Sequence, residues 1–230
     1  MARHPVTPPL AIIVPALNEA AGIVATLTAL APLRARSAEL IVVDGGSEDG
    51  TPALAEAWAD QVVTGPRGRA QQMNAGAALA RAPVLLFLHA DTRLPDAADG
   101  LIQAAIARGA SWGRFDVHIS GRARMLRVVA VMMNLRSRLT GIATGDQAMF
   151  MTRIAFERAG GFPDQRLMED IELSRRLRQQ APPACLRERV VTSGRRWEQR
   201  GVWRTIWLMW RLRWRYWRGV SPQVLAEAYR

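Results

Sequence analysis

The stretch LIVVDGGSEDGTP, at residues 40–52, carries the pattern that decides the fold. Its aliphatic residues predict a short buried strand, a glycine-rich acidic loop ends that strand, and Thr51 followed by Pro52 is typical of a helix start. Residues 10–14 and 84–88 are followed in the same way by polar loops. Short strands that alternate with helices indicate β-α-β units, so we predict an α/β fold with a mostly parallel central sheet flanked by helices.

The remaining segments extend this arrangement along the chain. Helices are predicted at residues 19–33, 52–60, 69–80, 121–139 and 167–180, and two further strands at residues 112–119 and 147–152. A chain of 230 residues suits one buried core, and no repeat or linker divides it. We assign residues 1–200 to one α/β domain and residues 201–230 to an amphipathic helical extension.

The charge of the chain is concentrated in two places. The net charge is +11, and all 31 basic residues are arginine. Residues 121–138 contribute +5 and residues 195–218 contribute +7, so the rest of the chain is nearly neutral. This distribution excludes an acidic solvating protein, and it points to nucleic acid, an anionic membrane or phosphorylated substrates as partners.

Cysteine content and hydropathy indicate the compartment. The single Cys185 excludes an internal disulfide, and no Cys/His set has zinc spacing, so we predict a reduced, cytoplasmic setting. The N-terminal residues lack an apolar signal core, and no apolar run is long enough for a membrane span. Any membrane contact is therefore predicted to be peripheral, on the inner face of the membrane.

Polar loops follow three of the predicted strands, at the sheet edge where ligands bind in open α/β folds. These loops lie at residues 15–19, 44–51 and 89–92, and each contains at least one carboxylate. Carboxylates gathered at one edge predict a site for a nucleotide and its divalent metal. The alternative is that Asp44, Ser47 and Asp91 serve only as turn and cap residues.

Five motifs in register resemble those of glycosyltransferase family 2, the inverting nucleotide-sugar transferases of the GT-A, Rossmann-like fold. The resemblance covers residues 10–197, and its motifs are IIVPALNEAAGI (12–23), IVVDGGSEDGT (41–51), GRAQQMNAGAALA (68–80), VLLFLHADTRLP (84–95) and GGFPDQRLMEDIELSRRLR (160–178). GDQAMF (145–150), SGRRW (193–197) and the Trp/Arg-rich end are similar to a small bacterial subgroup, the radical-SAM/selenodomain-associated transferases. Residues 1–200 are thus expected to form a nucleotide-sugar transferase domain.

The resemblance implies a donor site at the strand ends. Gly45 replaces the second acid of the family's Asp-Asp pair, which leaves the nucleobase open, and we favour UDP over GDP. Asp91 is the expected ligand of Mg²⁺ or Mn²⁺, and His89 is a second candidate ligand, or else a buried histidine at a strand end. The donor-binding residues implied are Pro15, Ala16, Asn18, Glu19, Asp44, Arg69, Asn74, His89, Ala90 and Asp91.

The resemblance also implies the catalytic and acceptor side. Inversion needs one base opposite the leaving diphosphate, and we assign that role to Asp170, with Glu169 holding its geometry or contacting the sugar. The alternative is that both acids merely favour a helix N-terminus. The acceptor or diphosphate side is expected to hold Asp146, Gln147, Arg196 and Trp197, although Trp197 also suits packing against the sheet.

The extension contains five tryptophans at helical spacing. They recur at steps of 4, 3, 4 and 3, so they form one stripe with arginines beside it. This pattern favours an in-plane helix on an anionic membrane surface, near a lipid-like acceptor, with packing on the domain or a homodimer seam as the alternatives. The apolar residues of 121–139 are expected beside the stripe, which comprises Trp203, Trp207, Trp210, Trp214 and Trp217.

Together these features predict an inverting glycosyltransferase that moves a sugar from a nucleoside diphosphate to an acceptor hydroxyl with the help of a metal. Two other classes remain open, a nucleotidyltransferase of related fold and a non-catalytic protein that binds nucleic acid. Acids at the strand ends repel phosphates unless a metal intervenes, so we expect no nucleic-acid partner.

Overall fold

A computed structural model describes residues 7–229. The strands are β1 (Ala11–Ala16), β2 (Glu39–Asp44), β3 (Gln61–Thr64), β4 (Val84–Phe87), β5 (Thr92–Arg93), β6 (Trp112–Ser120), β7 (Met149–Thr152) and β8 (Ala184–Ser193). The helices are α1 (Ile23–Ala35), α2 (Thr51–Glu56), α3 (Arg69–Leu79), α4 (Ala98–Ala107), α5 (Met125–Thr140), α6 (Arg153–Arg158), α7 (Glu169–Gln180), α8 (Arg195–Arg200), α9 (Val202–Trp217) and α10 (Pro222–Tyr229). A single 3-10 turn, Gly145–Gln147, leads into β7.

The strands form one sheet in the order β3-β2-β1-β4-β7-β6-β8-β5. The first four run parallel to one another, as β-α-β units require. β7 is inserted antiparallel between β4 and β6, β8 runs parallel to β6, and β5 closes the edge antiparallel to β8. The predicted α/β fold with a mostly parallel sheet is therefore confirmed.

The core lies on both faces of this sheet, because side chains alternate along each buried strand. Ile12 and Val14 of β1 face the layer of α1, α4 and α5, whereas Ile13 faces the layer of α3, α6 and α7. Gly76 lets α3 approach the sheet closely, since a Cβ at this position would lie 2.4 Å from Ile13 Cγ2. That close packing brings the start of α3, and Arg69 with it, to the carboxyl ends of β1 and β2.

Several elements differ from the predicted boundaries. α1 begins at Ile23 rather than at residue 19, because the preceding residues form the loop of the candidate site. β3 and β8 were not predicted from the sequence. β8 reads ACLRERVVTS, and its charged residues interrupt the apolar run that marks the other strands.

The C-terminal extension packs on the α/β domain through one face of α9 and through α10. Leu212 and Leu225 are fully buried against Leu167 and Met168, which immediately precede α7. The alternative in which the tryptophan stripe packs on the domain is wrong, since all five tryptophans are between 59% and 81% exposed on the opposite side of α9. The division at residue 200 stays a prediction. No helix within residues 7–229 combines the length and apolarity that a bilayer crossing needs.

Candidate functional site

The loops after β1 and β2 are joined into one rim by side chain to backbone hydrogen bonds. The Asn18 N–H donates to the Ser47 hydroxyl at 2.8 Å, and Asn18 Oδ1 accepts from the Glu48 N–H at 2.9 Å. The Glu19 N–H donates to the Thr51 hydroxyl at 2.9 Å. Asn18 has a φ of 54°, in the left-handed region that Asn tolerates better than most residues. Asn18 therefore shapes the rim, and any contact it makes with the donor stays a prediction.

Asp44 also turns back into its own loop. Its buried carboxylate accepts hydrogen bonds from the N–H groups of Gly46 at 2.9 Å and Ser47 at 2.8 Å, and from the Ser47 hydroxyl. This is the turn-forming role that the sequence left open for Asp44. A contact between Asp44 and the base or ribose of the donor stays a prediction.

Gln72 explains why glycine follows Asp44. The Gln72 side-chain N–H₂ donates to the carbonyl oxygens of Ala16 and Val43, at 2.8 Å each, and so joins the ends of β1 and β2. A Cβ on Gly45 would lie 3.1 Å from this amide. Pro15 and Ala16 are the last residues of β1, and both are buried beneath this corner.

Two carboxylates lie near each other at the ends of β1 and β4. Burial and the neighbouring charge of Asp91 raise the pKa of Glu19, while Arg195 and Arg69 lower it. Asp91 is exposed and receives only a long contact of 3.4 Å from the Thr92 hydroxyl. Arg195 Nη2 lies 3.9 Å from Glu19 Oε2. Acids and arginines therefore converge here.

This corner fits a divalent metal bound together with a diphosphate. Within residues 7–229 no three His, Cys, Asp or Glu side chains form a complete metal cage. Mg²⁺ and Mn²⁺ are commonly held in such sites by one or two carboxylates, with phosphate oxygens and water as the other ligands. An exposed Asp91 beside Glu19 matches that requirement.

His89 uses one of its two ring nitrogens within the fold. Its Nδ1 lies 3.2 Å from Asp146 Oδ1, and its Nε2 is buried without a hydrogen-bond partner among residues 7–229. Gly145 makes room for the ring, since a Cβ there would lie 2.3 Å from His89 Nε2. Both interpretations of His89, a metal ligand and a buried histidine, stay predictions. The next residue, Ala90, is buried too and accepts a hydrogen bond from Thr26.

Glu169 and Asp170 open α7 and face the same corner. Asp170 accepts hydrogen bonds from the Gly145 N–H at 2.8 Å and from its own neighbour Ile171 at 2.7 Å. Burial, reinforced by the charge of Glu169, raises the pKa of Asp170 to about 6. Glu169 is buried and lies 3.5 Å from Arg69 Nη1. With this pKa, the Asp170 carboxyl is ionised at neutral pH. Its pKa is also near enough to neutral pH for the carboxylate to accept a proton.

Arg69 interacts electrostatically with Glu19 on one loop and with Glu169 and Asp170 at the start of α7. Partial burial lowers the pKa of its guanidinium, but the charges of Glu169, Asp146 and Asp170 outweigh burial and raise it overall. The charge of Arg69 in turn lowers the pKa of Glu19. Arg69 thus acts on the corner at β1 and on the start of α7.

Arg196 contacts the extension. Its guanidinium carbon lies 3.9 Å from the centroid of the Tyr229 ring, and Arg200 donates to the Tyr229 carbonyl oxygen at 2.8 Å. Arg196 and Asp146 are within electrostatic reach of each other. Trp197 packs against the core cluster beneath α5, which is the packing role left open above.

Two predicted site residues, Asn74 and Gln147, form hydrogen bonds within the fold. Asn74 donates from Nδ2 to the Phe162 carbonyl at 2.8 Å and accepts from the Phe162 N–H at 2.9 Å, so both ends of its amide are used. Gln147 is fully buried, and its Oε1 accepts from the Thr144 N–H in a capping box. For Asn74 this agrees with the helix-packing role that the sequence also allows, and contacts of Asn74 with the donor and of Gln147 with the acceptor stay predictions.

Comparison with known families now adds to this geometry. The family model described as Glycosyl transferase family 2 matches residues 11–158, well over half of the chain. The chain belongs to glycosyltransferase family 2. The match runs from the first residue of β1 to the last residue of α6, so it covers the donor-side loops and ends before Glu169 and Asp170.

Solved structures show the same fold. Mannosyltransferase PcManGT from Pyrobaculum calidifontis, in complex with GDP-Man and Mn²⁺, has a TM-score of 0.66 and 22% identity, over 98% of this chain and 70% of that one. S. aureus TarS 1-349, in complex with UDP-GlcNAc, has a TM-score of 0.65 and 17% identity, over 80% of this chain. Glucosyl-3-phosphoglycerate synthase from Mycobacterium tuberculosis, in complex with Mn²⁺, UDP and glucosyl-3-phosphoglycerate, has a TM-score of 0.57 and 18% identity, over 78% of this chain and 70% of that one.

The match to TarS is partial in length. This family 2 protein spans 58% of the TarS fragment. No curated protein matches the chain. The solved structures therefore establish the GT-A fold of this family 2 protein.

Sequence reasoning missed two site residues of this family 2 protein. Arg195 approaches Glu19, but the adjacent Arg196 was chosen from the SGRRW motif because only Arg196 and Trp197 match the family there. Tyr229 reaches Arg196 from α10, and its pKa is raised by burial. No local pattern around Tyr229 indicates this contact, because it depends on how α9 and α10 fold back.

Proposed function

We propose that the protein is an inverting, metal-dependent glycosyltransferase that uses a nucleoside-diphosphate sugar. The observation that carries this proposal is the position of Arg69 between two acidic groups. Arg69 is within electrostatic reach of Glu19, which neighbours Asp91, and of Glu169 and Asp170 at the start of α7. If a diphosphate bound at Arg69, Asp170 would be near enough to activate an acceptor hydroxyl for direct displacement.

The side chains then divide the chemistry between them. Asp170 takes the proton of the acceptor hydroxyl as that oxygen bonds to the anomeric carbon, while the bond from this carbon to the diphosphate oxygen breaks on the opposite face. Arg69 neutralises the charge that develops on the leaving diphosphate. A divalent ion at Asp91 supplies further positive charge for the same group. Glu169 holds Arg69 in place through their ion pair.

The geometry of the loop after β2 does not select the nucleobase of the donor. Asp44 binds its own turn and Gln72 fills the space beside Gly45, so no acid pair projects toward a base. TarS was solved with UDP-GlcNAc and PcManGT with GDP-Man. We favour UDP, and both donor types belong in the test.

Titration of UDP-GlcNAc and GDP-Man in the presence and absence of Mn²⁺ or Mg²⁺ tests the proposal. We expect metal-dependent binding to the native protein and a loss of about tenfold or more in Asp91→Asn, since a ligand charge is removed. Asp96→Asn removes an exposed carboxylate from the same segment and should bind the donor normally. Binding that does not depend on metal, or that is equal in the two variants, contradicts the assignment. NMR of the product anomer tests inversion.

We further propose that α9 docks on an anionic membrane surface, where a lipid-like acceptor resides. The tryptophan stripe faces solvent, and α9 contains no acid. Arg204, Arg211, Arg215 and Arg218 lie along one flank of the stripe, at about 60–120° from it by helix geometry. Exposed tryptophans beside arginines suit the headgroup region of anionic lipids. Membership of the radical-SAM/selenodomain-associated subgroup stays a prediction from the motifs.

A further inference from the structure

Arg136 of α5 has two guanidinium nitrogens for which the described part of the chain offers no hydrogen-bonding partner. Its Nε and Nη2 atoms are buried, and neither has a hydrogen-bond partner among residues 7–229. The residue as a whole is only partly buried, so part of its side chain is open to solvent. Burying cationic N–H groups without acceptors is unfavourable, and such groups normally have a partner in the functional state.

Neighbouring arginines are satisfied, which makes Arg136 distinct. Arg114 is fully buried, and its guanidinium donates to Ser137 at 3.0 Å and forms an ion pair with Asp116. Arg138 forms an ion pair with the other oxygen of Asp116 at 2.6 Å. Asp116 is thus fully used by two arginines, and it leaves no oxygen for Arg136.

Arg136 lies near the proposed catalytic acids. Asp170 and Asp146 are the carboxylates within electrostatic reach of its guanidinium. Both are engaged elsewhere, Asp170 with two backbone N–H groups and Asp146 with His89. An anionic substrate near these acids would be repelled unless a cation stood beside it. Arg136 supplies that cation.

The position of Arg136 on α5 also suggests what the anion is attached to. Val128, Met132 and Leu139 belong to an exposed apolar stripe of α5, with exposures of 53%, 54% and 76%. By helix geometry Arg136 lies about 40–80° from these residues, between the stripe and the buried face. The end of an apolar chain lying along this stripe would meet Arg136.

We propose that Arg136 binds a phosphate monoester carried by the acceptor at the end of an alkyl chain, and so positions the acceptor beside Asp170. This inference rests on the proposed function, because it assigns Arg136 to the acceptor of that same site. It defines the acceptor as an anionic amphiphile, in which the apolar chain contacts α5 and the oxyanion contacts Arg136.

Binding to the full chain tests the inference with three soluble probes, dodecyl phosphate, dodecanol and inorganic phosphate, below the micelle concentration. Dodecyl phosphate should bind the native protein, and Arg136→Met should weaken it by about 10- to 100-fold, as expected when a charged hydrogen-bond donor is lost. Arg136→Lys should recover part of this loss. Arg127→Met is the matched control, since Arg127 is exposed on the same helix about 180° away, and it should bind normally.

The remaining outcomes distinguish the sources and the possible failures. If inorganic phosphate binds through Arg136 with the same affinity as dodecyl phosphate, the site is one for a soluble phosphate ester. That result would overturn the lipid part of the proposal. Equal binding of dodecyl phosphate by Arg136→Met and Arg127→Met, or no binding to the native protein, would overturn the whole. Donor binding separates a failure of this inference from a failure of the proposed function. Arg136→Met should bind the donor with native affinity. If donors fail to bind the native protein, the proposed function fails independently of Arg136. Arg136→Met should also unfold at a higher temperature than the native protein, because an unpaired buried charge is removed.

Discussion

At the scale of single residues, Asp170 combines two opposing influences. Burial and the charge of Glu169 raise its pKa to about 6, whereas the N–H groups of Gly145 and Ile171 favour its ionised form. Both carboxylate oxygens already accept a hydrogen bond, which fixes the orientation of the group. A proton acceptor held in this way needs little reorganisation when the acceptor hydroxyl attacks.

Asp170→Asn should abolish transfer while it leaves donor binding intact. Asn has nearly the shape of Asp but does not accept the proton, and loss of a general base typically costs about 10²–10⁴ in rate. Turnover and donor affinity are measured separately, by product formation and by calorimetry. Glu172→Gln is the control, because Glu172 lies on the same helix but pairs with Arg175 and Arg176. If Asp170→Asn keeps normal turnover, another group is the base.

The pH dependence of turnover should follow Asp170. The base works when it is deprotonated, so kcat/KM should fall as the pH drops through about 6. Glu169→Gln removes a charge that raises this pKa, so the acidic limb should move to lower pH. The measurement is a pH profile of kcat/KM for both proteins, with Glu172→Gln as a control that keeps the native limb. An unmoved limb in Glu169→Gln would separate Glu169 from the titrating group.

The sequence predicted which residues lie near the site better than it predicted their contacts. Glu19, Arg69, Asp146 and Asp170 were all selected from loop position and resemblance, and charge interactions link them in the structure. Asn74 was selected in the same way, but its amide binds the backbone of Phe162. Polar side chains in loops have several acceptors within reach, and only the folded backbone determines which one they use.

At the scale of elements, α9 has two faces with opposite tasks. Leu212 is buried on one face, and Trp210 is 72% exposed on the other. Arg211 and Arg218 lie over the rings of Trp207 and Trp214, at 4.7 Å and 5.4 Å from the ring centroids. These cation–π contacts keep the charges beside the exposed rings. The outer face therefore presents aromatic rings and positive charge together.

Replacing Trp207 and Trp210 by Ser should release the protein from anionic vesicles. Both side chains lie on the exposed face, so the change removes apolar area without disturbing the core. Co-sedimentation with anionic and neutral vesicles measures the effect, and the native protein should prefer the anionic ones. Ile154→Ser is the control, because Ile154 is 61% exposed on α6. This variant should bind anionic vesicles as the native protein does. Unchanged sedimentation, with a halved mass in light scattering, would instead identify the stripe as a homodimer seam.

The hydrophobic pattern predicted the strands whose residues are buried on both faces of the sheet. β1, β2 and β4 are buried on both faces and read as continuous aliphatic runs, so they were found within two residues. β8 was missed, because its exposed side carries arginine and glutamate. Strand order was beyond the sequence as well, since the antiparallel insertion of β7 depends on long-range pairing with β4 and β6.

At the scale of the whole molecule, the extension packs on the residues that immediately precede α7. Leu212 and Leu225 pack on Leu167 and Met168, directly before Glu169. Met168 has a φ of 67°, a left-handed conformation that is unfavourable for a residue with a long side chain. Such a conformation persists only where surrounding packing holds it. The extension therefore helps to position the start of α7.

Leu212→Ala should destabilise the protein and also reduce turnover. Loss of a fully buried leucine lowers the free energy of unfolding by about 2–5 kcal/mol, which for a chain of this length corresponds to a drop in Tm of at least about 4 °C. Looser packing around Met168 should also displace Asp170, so kcat should fall at temperatures where the variant remains folded. Thermal unfolding by circular dichroism and steady-state kinetics measure the two effects. Val224→Ala, at a position 45% exposed on α10, should change the free energy of unfolding by less than about 0.5 kcal/mol. If Leu212→Ala matches Val224→Ala in both assays, the extension does not support the catalytic helix.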